Sequence, residues 1–175
     1  GKLYMDHQGK YPVINLSLKS AKQQTFELAY VSLADEIAKE YKRHAYILSS
    51  QRLPEDDRNR FAAVMNGSAG EVEYVKALDF LSACLSKFHD RKTIILLDEY
   101  DVPLENAYFQ GFYDKMISFI RSLLESALKT NINLEFAVIT GCLRISRESI
   151  FTGLNNLDIY SIMSPRYTDA LPGMK

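Results

Sequence analysis

Residues 93–101 of this 175-residue chain read TIILLDEYD, and this stretch decides the fold class. A short apolar run of this kind is typical of a strand buried inside a sheet. It ends in two adjacent carboxylates, Asp98 and Glu99, and Val102 and Pro103 follow. The stretch therefore predicts a buried strand that carries acidic side chains at its carboxyl end.

Two more strands are predicted, at 11–18 (YPVINLSL) and 134–140 (LEFAVIT). Apolar positions at three- and four-residue steps predict helices over 26–41, 71–88 and 112–127, and Pro54 with the acids after it starts a short helix that ends near Gly67. Since strands and helices alternate and the strands are apolar, we expect an α/β protein in three layers, with a parallel sheet covered on both faces.

Residues 105–111, ENAYFQG, differ at one position from a protease site that is common in expression tags. Tags lie at chain termini, whereas this segment is predicted to open the helix over 112–127. It is interpreted as native sequence.

The composition is that of an ordinary globular domain, with 47% hydrophobic residues, 25% charged residues and a formal net charge of -1. The balance of 21 basic against 22 acidic residues gives no signal for nucleic-acid binding. Lys39, Lys42, Arg43 and His44 form a local basic cluster, which is interpreted as the solvated face of a helix.

Cys84 and Cys142 lie far apart in apolar segments and lack metal-binding spacing, which indicates small core residues in a reducing compartment. No apolar run is long enough to cross a bilayer, and the amino terminus lacks a signal-peptide core. A cytoplasmic protein is expected.

The chemistry is predicted to rest on Asp98 and Glu99, because ligands of open parallel sheets bind outside the carboxyl ends of the strands. Asp98 would hold Mg²⁺, and Glu99 would orient and deprotonate an attacking water. Thr140, at the end of the third strand, would contact a phosphate or that water, and Arg144 would neutralise phosphate charge. The alternative is that these acids only cap the next helix or solvate a turn.

Other phosphate chemistries fit less well. A receiver domain would need acids after the first strand, and a dehalogenase-type phosphatase would need Asp-x-Asp. A nuclease core needs Glu-x-Lys on a strand, whereas residues 40–42 (EYK) fall on a predicted helix.

Three blocks of sequence carry a resemblance to a known family: 8–22 (QGKYPVINLSLKSAK), 93–131, and 134–157 (LEFAVITGCLRISRESIFTGLNNL). They resemble the bacterial AAA-ATPase-like family, many of whose members are described as ATP-binding proteins and carry a C-terminal PD-(D/E)XK nuclease-like domain. The resemblance implies a P-loop NTPase fold that uses ATP and Mg²⁺. It also implies that Asp98 and Glu99 are the Walker B acids and that Thr140 is the sensor residue.

The Walker A pattern G-x-x-x-x-G-K-[ST] of such proteins does not occur in these 175 residues. We expect residues 1–168 to form one AAA-ATPase-like domain fragment that lacks its P-loop strand, followed by a divergent tail over 169–175. In the family's sheet that strand lies beside the third strand of this chain, so the 134–140 edge is expected to be open to another copy.

Three hypotheses follow. The favoured one is an ATPase-like fragment that carries the Walker B and sensor half of the site and is weak or inactive by itself. The second is a non-catalytic interaction module that uses the exposed sheet edge. The third is another metal-dependent phosphoryl transfer or hydrolysis at Asp98 and Glu99.

Overall fold

The computed structural model describes residues 9–142 together with Ile150, Phe151 and Asp158. Strands and helices alternate along this part of the chain. In chain order the elements are β1 (Val13–Ser17), a 3₁₀ turn (Lys19–Ala21), α1 (Phe26–Arg43), a second 3₁₀ turn (Ala45–Ser49), α2 (Glu55–Met65), α3 (Glu71–Val75), α4 (Ala77–His89), β2 (Thr93–Asp98), α5 (Val102–Gln110), α6 (Tyr113–Leu128) and β3 (Leu134–Ile139).

The three strands form one parallel sheet in the order β1-β2-β3. Val13 pairs with Ile94 at one end of the sheet, and Ser17 pairs with Asp98 at the other. A register irregularity lies between Thr93 and Ile94, at the start of the pairing with β3. The predicted α/β class with a parallel sheet is confirmed.

The longest helix, α1, has the local signals that start and end a helix. The Thr25 hydroxyl accepts a hydrogen bond from the Leu28 backbone N–H at 3.3 Å, which satisfies one of the free donors of the first turn. Glu27 lies in that first turn, and Lys42 and Arg43 lie in the last, so both ends complement the helix dipole.

One face of the sheet forms the core. Ile14, Leu16, Ile95 and Leu97 are fully or almost fully buried, and α1, α4 and α6 contact β1, β2 and β3 respectively. Burial of each such side chain stabilises the fold by about 1.5–3 kcal/mol relative to exposure. Burial of these aliphatic side chains therefore fixes the helices against this face.

The other face of the sheet is open in the part of the chain that the structure describes. Phe136 and Val138 are 50% and 45% exposed, and Ile94 and Leu96 on β2 are only partly covered. The prediction of helices on both faces is therefore wrong for the described residues. Apolar strands indicated a doubly covered sheet, but the covering helices of this region all lie on the side of Leu16 and Leu97.

Two helix predictions also require correction. The helix predicted over 71–88 is two helices, α3 and α4, because the chain leaves helical geometry at Lys76. The segment 105–111 does not open the next helix, since residues 105–110 belong to the separate helix α5. Gly111 ends α5 in the left-handed conformation at φ 81°, which a glycine adopts without steric cost.

None of the described helices is both long and apolar enough to cross a membrane.

Candidate functional site

The carboxyl ends of the three parallel strands meet at one edge of the sheet and bring polar side chains together. Ser17 ends β1, Asp98 ends β2, and Thr140 directly follows β3. The ladder continues past the strands, since Leu18 N–H donates to the Asp98 carbonyl at 3.0 Å and Thr140 N–H donates to the Leu97 carbonyl at 2.8 Å. These residues form a continuous polar surface at the end of the sheet.

The Asp98 carboxylate is held from two sides. Its Oδ1 accepts a hydrogen bond from the Thr140 hydroxyl and a second one, at 2.9 Å, from the backbone N–H of Glu99. Both bonds use Oδ1, and the side chain is exposed. Asp98 is therefore oriented by the protein and still open to solvent.

Glu99 has an unusual backbone conformation for a non-glycine residue, with φ at 55°. Residues with a β-carbon seldom adopt this left-handed region, and such residues are often found at functional sites. The Glu99 side chain reaches the end of β1, where its Oε2 accepts a hydrogen bond from the Ser17 hydroxyl at 3.2 Å. Adjacent carboxylates thus point to different neighbours, Thr140 and Ser17.

A third acid, Asp101, holds the backbone next to this edge through hydrogen bonds. It is 2% exposed, and its Oδ2 accepts a hydrogen bond from the Cys142 N–H at 2.9 Å. Its carbonyl accepts the Glu105 N–H at 2.9 Å, which starts α5. Asp101 therefore connects the turn after β3 to the first turn of α5.

Gly141 lies directly against Asp101. A β-carbon at this position would lie 2.7 Å from Asp101 Oδ1 and 2.7 Å from Tyr100 Cε1. The Tyr100 N–H also donates to the Thr140 carbonyl at 3.2 Å. Only a residue without a side chain allows the chain after β3 to approach the end of β2 this closely.

Three of the four predicted site residues lie together at this edge: Asp98, Glu99 and Thr140. Arg144 lies outside the described residues. Ser17 was not among the predicted site residues, because its position opposite Asp98 follows only from the strand register. Asp101 was not among them either, because the structural role of its carboxylate depends on a contact 41 residues away.

The donor atoms at this edge suit a hard divalent cation. Carboxylate and hydroxyl oxygens are the ligands that Mg²⁺ prefers, and Mg²⁺ is commonly held by one or two carboxylates with water and substrate phosphates. Between the described residues, no ion pair involves Asp98 or Glu99. No group of three or more His, Cys, Asp or Glu side chains that could hold a metal occurs in the described ranges either, so a cation here would need further ligands from water or a substrate.

Comparison with known proteins identifies the family of the chain. The family model described as Predicted AAA-ATPase matches residues 2–151. The chain belongs to the AAA-ATPase-like family. The match includes all three strands of the sheet and all four predicted site residues.

A relative of this AAA-ATPase-like chain is known from Azotobacter chroococcum mcd 1, under the name "Uncharacterized protein in vnfD 5'region". It is 33% identical over 78 residues, which cover 44% of this chain and 15% of the relative. No solved structure matches the chain.

Proposed function

We propose that this AAA-ATPase-like domain supplies the acidic half of a site for Mg²⁺-dependent ATP hydrolysis. The observation that carries the proposal is the pair Asp98 and Glu99 at the carboxyl end of the central strand β2, where each carboxylate has its own hydrogen-bonded neighbour. In this proposal Asp98 is the Walker B acid, Glu99 is the general base and Thr140 is the sensor residue.

The support for Asp98 as the cation ligand is its geometry. The Thr140 hydroxyl and the Glu99 N–H both bond Oδ1, which holds the carboxylate in one orientation. The other oxygen, Oδ2, would face a cation or its water shell. Bound Mg²⁺ would neutralise charge on the phosphates.

The support for Glu99 as the base is its separation from Asp98. Its side chain is hydrogen-bonded to Ser17, whereas that of Asp98 is hydrogen-bonded to Thr140. A water molecule bound to Glu99 would therefore not occupy the position of a cation bound to Asp98. A carboxylate that accepts a hydroxyl hydrogen bond has oxygen lone pairs left to orient a water molecule and accept its proton.

The cation-binding part of the proposal is tested by titrating the chain with Mg²⁺ and following backbone amide resonances. We expect the Asp98, Glu99 and Thr140 signals to shift and saturate at millimolar concentration. Asp98→Asn should abolish the shifts, whereas Glu135→Gln, which removes an exposed carboxylate from β3 itself, should leave them unchanged. Equal effects of the two variants would contradict the assignment of Asp98.

The nucleotide part is tested by calorimetry with Mg-ATP. The phosphate-cradling pattern is not among these 175 residues, so we expect affinity in the millimolar range, about -4 kcal/mol. Micromolar binding would contradict the proposal of an incomplete site. Where turnover is measurable, Glu99→Gln should reduce it by about 100-fold or more while Mg²⁺ binding persists.

A second candidate function is a non-catalytic interaction module, and the edge position of β3 favours it. Only β2 pairs with β3 in the described sheet, and Phe136 and Val138 are exposed beside the free edge. The partner proposed for this role is a second copy of this chain, paired along the 134–140 edge. ATP hydrolysis that Glu99→Gln abolishes would contradict a purely non-catalytic role.

A further inference from the structure

A groove lies at the opposite end of the sheet from Asp98 and Glu99. It has a volume of about 460 Å³, within the range of small-molecule sites. Its walls come from residues 9–13, which lead into β1, from the carboxyl end of α1 with Tyr46, and from the turn between α4 and β2. Since β2 has six residues, the two ends are separated by roughly 20 Å.

The groove has an excess of positive charge. Its ten lining residues include Lys10, Arg43 and Arg91 and no carboxylate. The carboxylate behind the wall, Glu40, is 6% exposed and bonded to Arg43, so it does not face the groove freely. In a chain with a net charge of -1, this is a local concentration of cations.

Hydrogen bonds fix the wall formed by α1. Arg43 donates through Nε to Glu40 Oε2 at 2.8 Å and through Nη2 to the Val13 carbonyl. The His44 Nε2 lies 3.2 Å from the same carbonyl. These contacts tie the end of α1 to the start of β1, and a fixed wall lowers the entropy cost of binding.

Aromatic rings of Tyr46 and His89 also line the groove. The Tyr46 hydroxyl lies 2.8 Å from His89 Nε2, and the Tyr46 ring packs edge-on against Phe88 with centroids 5.5 Å apart. Burial and the nearby His44 lower the pKa of His89. The Tyr46 and His89 rings are therefore held in place, while nearly half of the Tyr46 surface stays exposed.

Two cations of the groove remain available to a ligand. Arg43 is used by Glu40, but neither Lys10 nor Arg91 takes part in an ion pair between residues that the structure describes. Guanidinium and ammonium groups bind phosphate oxygens through charge-assisted hydrogen bonds.

We propose that this groove binds the phosphate group of a small phosphomonoester, with Arg91 and Lys10 contacting the phosphate and Tyr46 and His89 contacting the rest of the molecule. The site is independent of the proposed ATP-hydrolysing edge, since none of its residues belongs to that edge. Of the four residues in the basic cluster of the sequence, Arg43 and His44 thus form one wall of this ligand site, whereas Lys39 and Lys42 do not line it.

The test is a titration with inorganic phosphate and, in a parallel arm, with adenosine 5′-monophosphate, at constant ionic strength set with chloride. We expect the amide resonances of Lys10, His89 and Arg91 to shift and saturate at millimolar ligand. Tighter binding of the nucleotide than of phosphate would support the proposed contact of Tyr46 and His89 with the rest of the ligand. Equal affinities would contradict that contact and show that only phosphate is recognised.

Two neighbouring cations, one inside the groove and one outside it, give the test variant and its control. Arg91→Ala should weaken phosphate binding by about tenfold, which corresponds to one lost charge-assisted contact. Lys92→Ala removes the same charge one residue away, outside the groove, and should leave the affinity within about twofold. Equal loss in both variants, or shifts that never saturate, would overturn the proposal. Asp98→Asn should have no effect, so this result and the Mg²⁺ result can fail separately.

Discussion

At the residue scale, Asp98 and Glu99 differ most in their backbones. Asp98 still belongs to the strand, whereas Glu99 has the left-handed conformation. This change of direction places one carboxylate beside Thr140 and the next beside Ser17. The turn at Glu99 therefore gives the two acids different hydrogen-bonded neighbours.

Gly141→Ala tests how closely the chain after β3 is packed against that turn. The added β-carbon would overlap Tyr100 and Asp101 at 2.7 Å, so we expect the free energy of unfolding to fall by about 1–3 kcal/mol. Urea denaturation measures the change.

Gly70→Ala is the control for this substitution. Its added β-carbon would meet only the flexible end of Glu73 at 3.0 Å, so little change is expected. Equal stabilities of the two variants would contradict the close approach at Gly141.

The sequence predicted the positions of Asp98, Glu99 and Thr140, because the ends of parallel strands share an edge. It could not predict the contact of Ser17 with Glu99, since a single serine in a strand has no distinguishing pattern. The left-handed turn at Glu99 was also beyond prediction, because that conformation usually indicates glycine or asparagine. Local patterns locate side chains along a strand, whereas their partners depend on register and turn geometry.

At the scale of elements, α1 packs against β1, and its carboxyl end forms one wall of the basic groove. Its apolar face was predictable from the repeat that includes Phe26, Leu33 and Ile37. The break between α3 and α4 was not, because Lys76 is neither glycine nor proline and continues an acceptable helical pattern. α5 was missed because only nine residues separate Asp101 from Gly111, and no clear apolar repeat fills them.

The buried carboxylate of α1 gives a prediction about pH. Burial raises the pKa of Glu40, but hydrogen bonds from Arg43, His44 and the Asn15 N–H outweigh this effect and lower the pKa below its ordinary value of 4.5. The folded chain then binds fewer protons than the unfolded chain. The stabilisation is fully present above the unfolded pKa and is lost as pH falls through the folded pKa.

Glu40→Gln should therefore lower the free energy of unfolding at pH 7 by on the order of 2 kcal/mol. The difference from the unsubstituted chain should shrink as the pH falls below about 4.5, because the unfolded chain then binds the proton before the folded chain does, and it should vanish once the pH has fallen through the lowered pKa of the folded chain. Urea denaturation at pH 7 and pH 4 measures both values.

Glu36→Gln is the control in the same helix. Its partner Lys39 is exposed, and exposed ion pairs contribute little to stability because water and salt screen them. A Glu40 effect that is no larger than the Glu36 effect, or that is independent of pH, would show that the buried pair does not stabilise the fold.

At the scale of the whole molecule, the sheet has one covered face and, as far as the described residues are concerned, one open face. The strand order and the parallel direction agree with the sequence prediction, but the cover on the second face does not. An apolar strand indicates that its side chains are covered, but it does not indicate which part of the protein covers them.

The free edge of β3 has unpaired backbone donors. The Thr140 N–H points toward β2, and backbone groups alternate in direction along a strand, so the Ala137 and Ile139 N–H groups point outward, toward the free edge.

The proposed pairing of two copies along that edge predicts self-association. We expect the unsubstituted chain to form a dimer at concentrations near 100 µM, and Val138→Lys to shift it to monomer, because a charged side chain disfavours pairing at a sheet edge. Sedimentation equilibrium measures the mass. Val31→Lys changes a similarly exposed valine on α1 and should leave the dimer intact. A monomeric unsubstituted chain would exclude this form of pairing.

The two cysteines have opposite environments, and this gives the chain a built-in reporter. Burial raises the pKa of the Cys84 thiol to about 12, so it is protected from alkylation at neutral pH. Cys142 is exposed, so the prediction of a core residue is wrong for this cysteine, and its N–H donates to Asp101 at the sheet edge. A maleimide fluorophore added to the native protein should attach at Cys142 alone, where its emission would follow cation or nucleotide binding without any engineered residue.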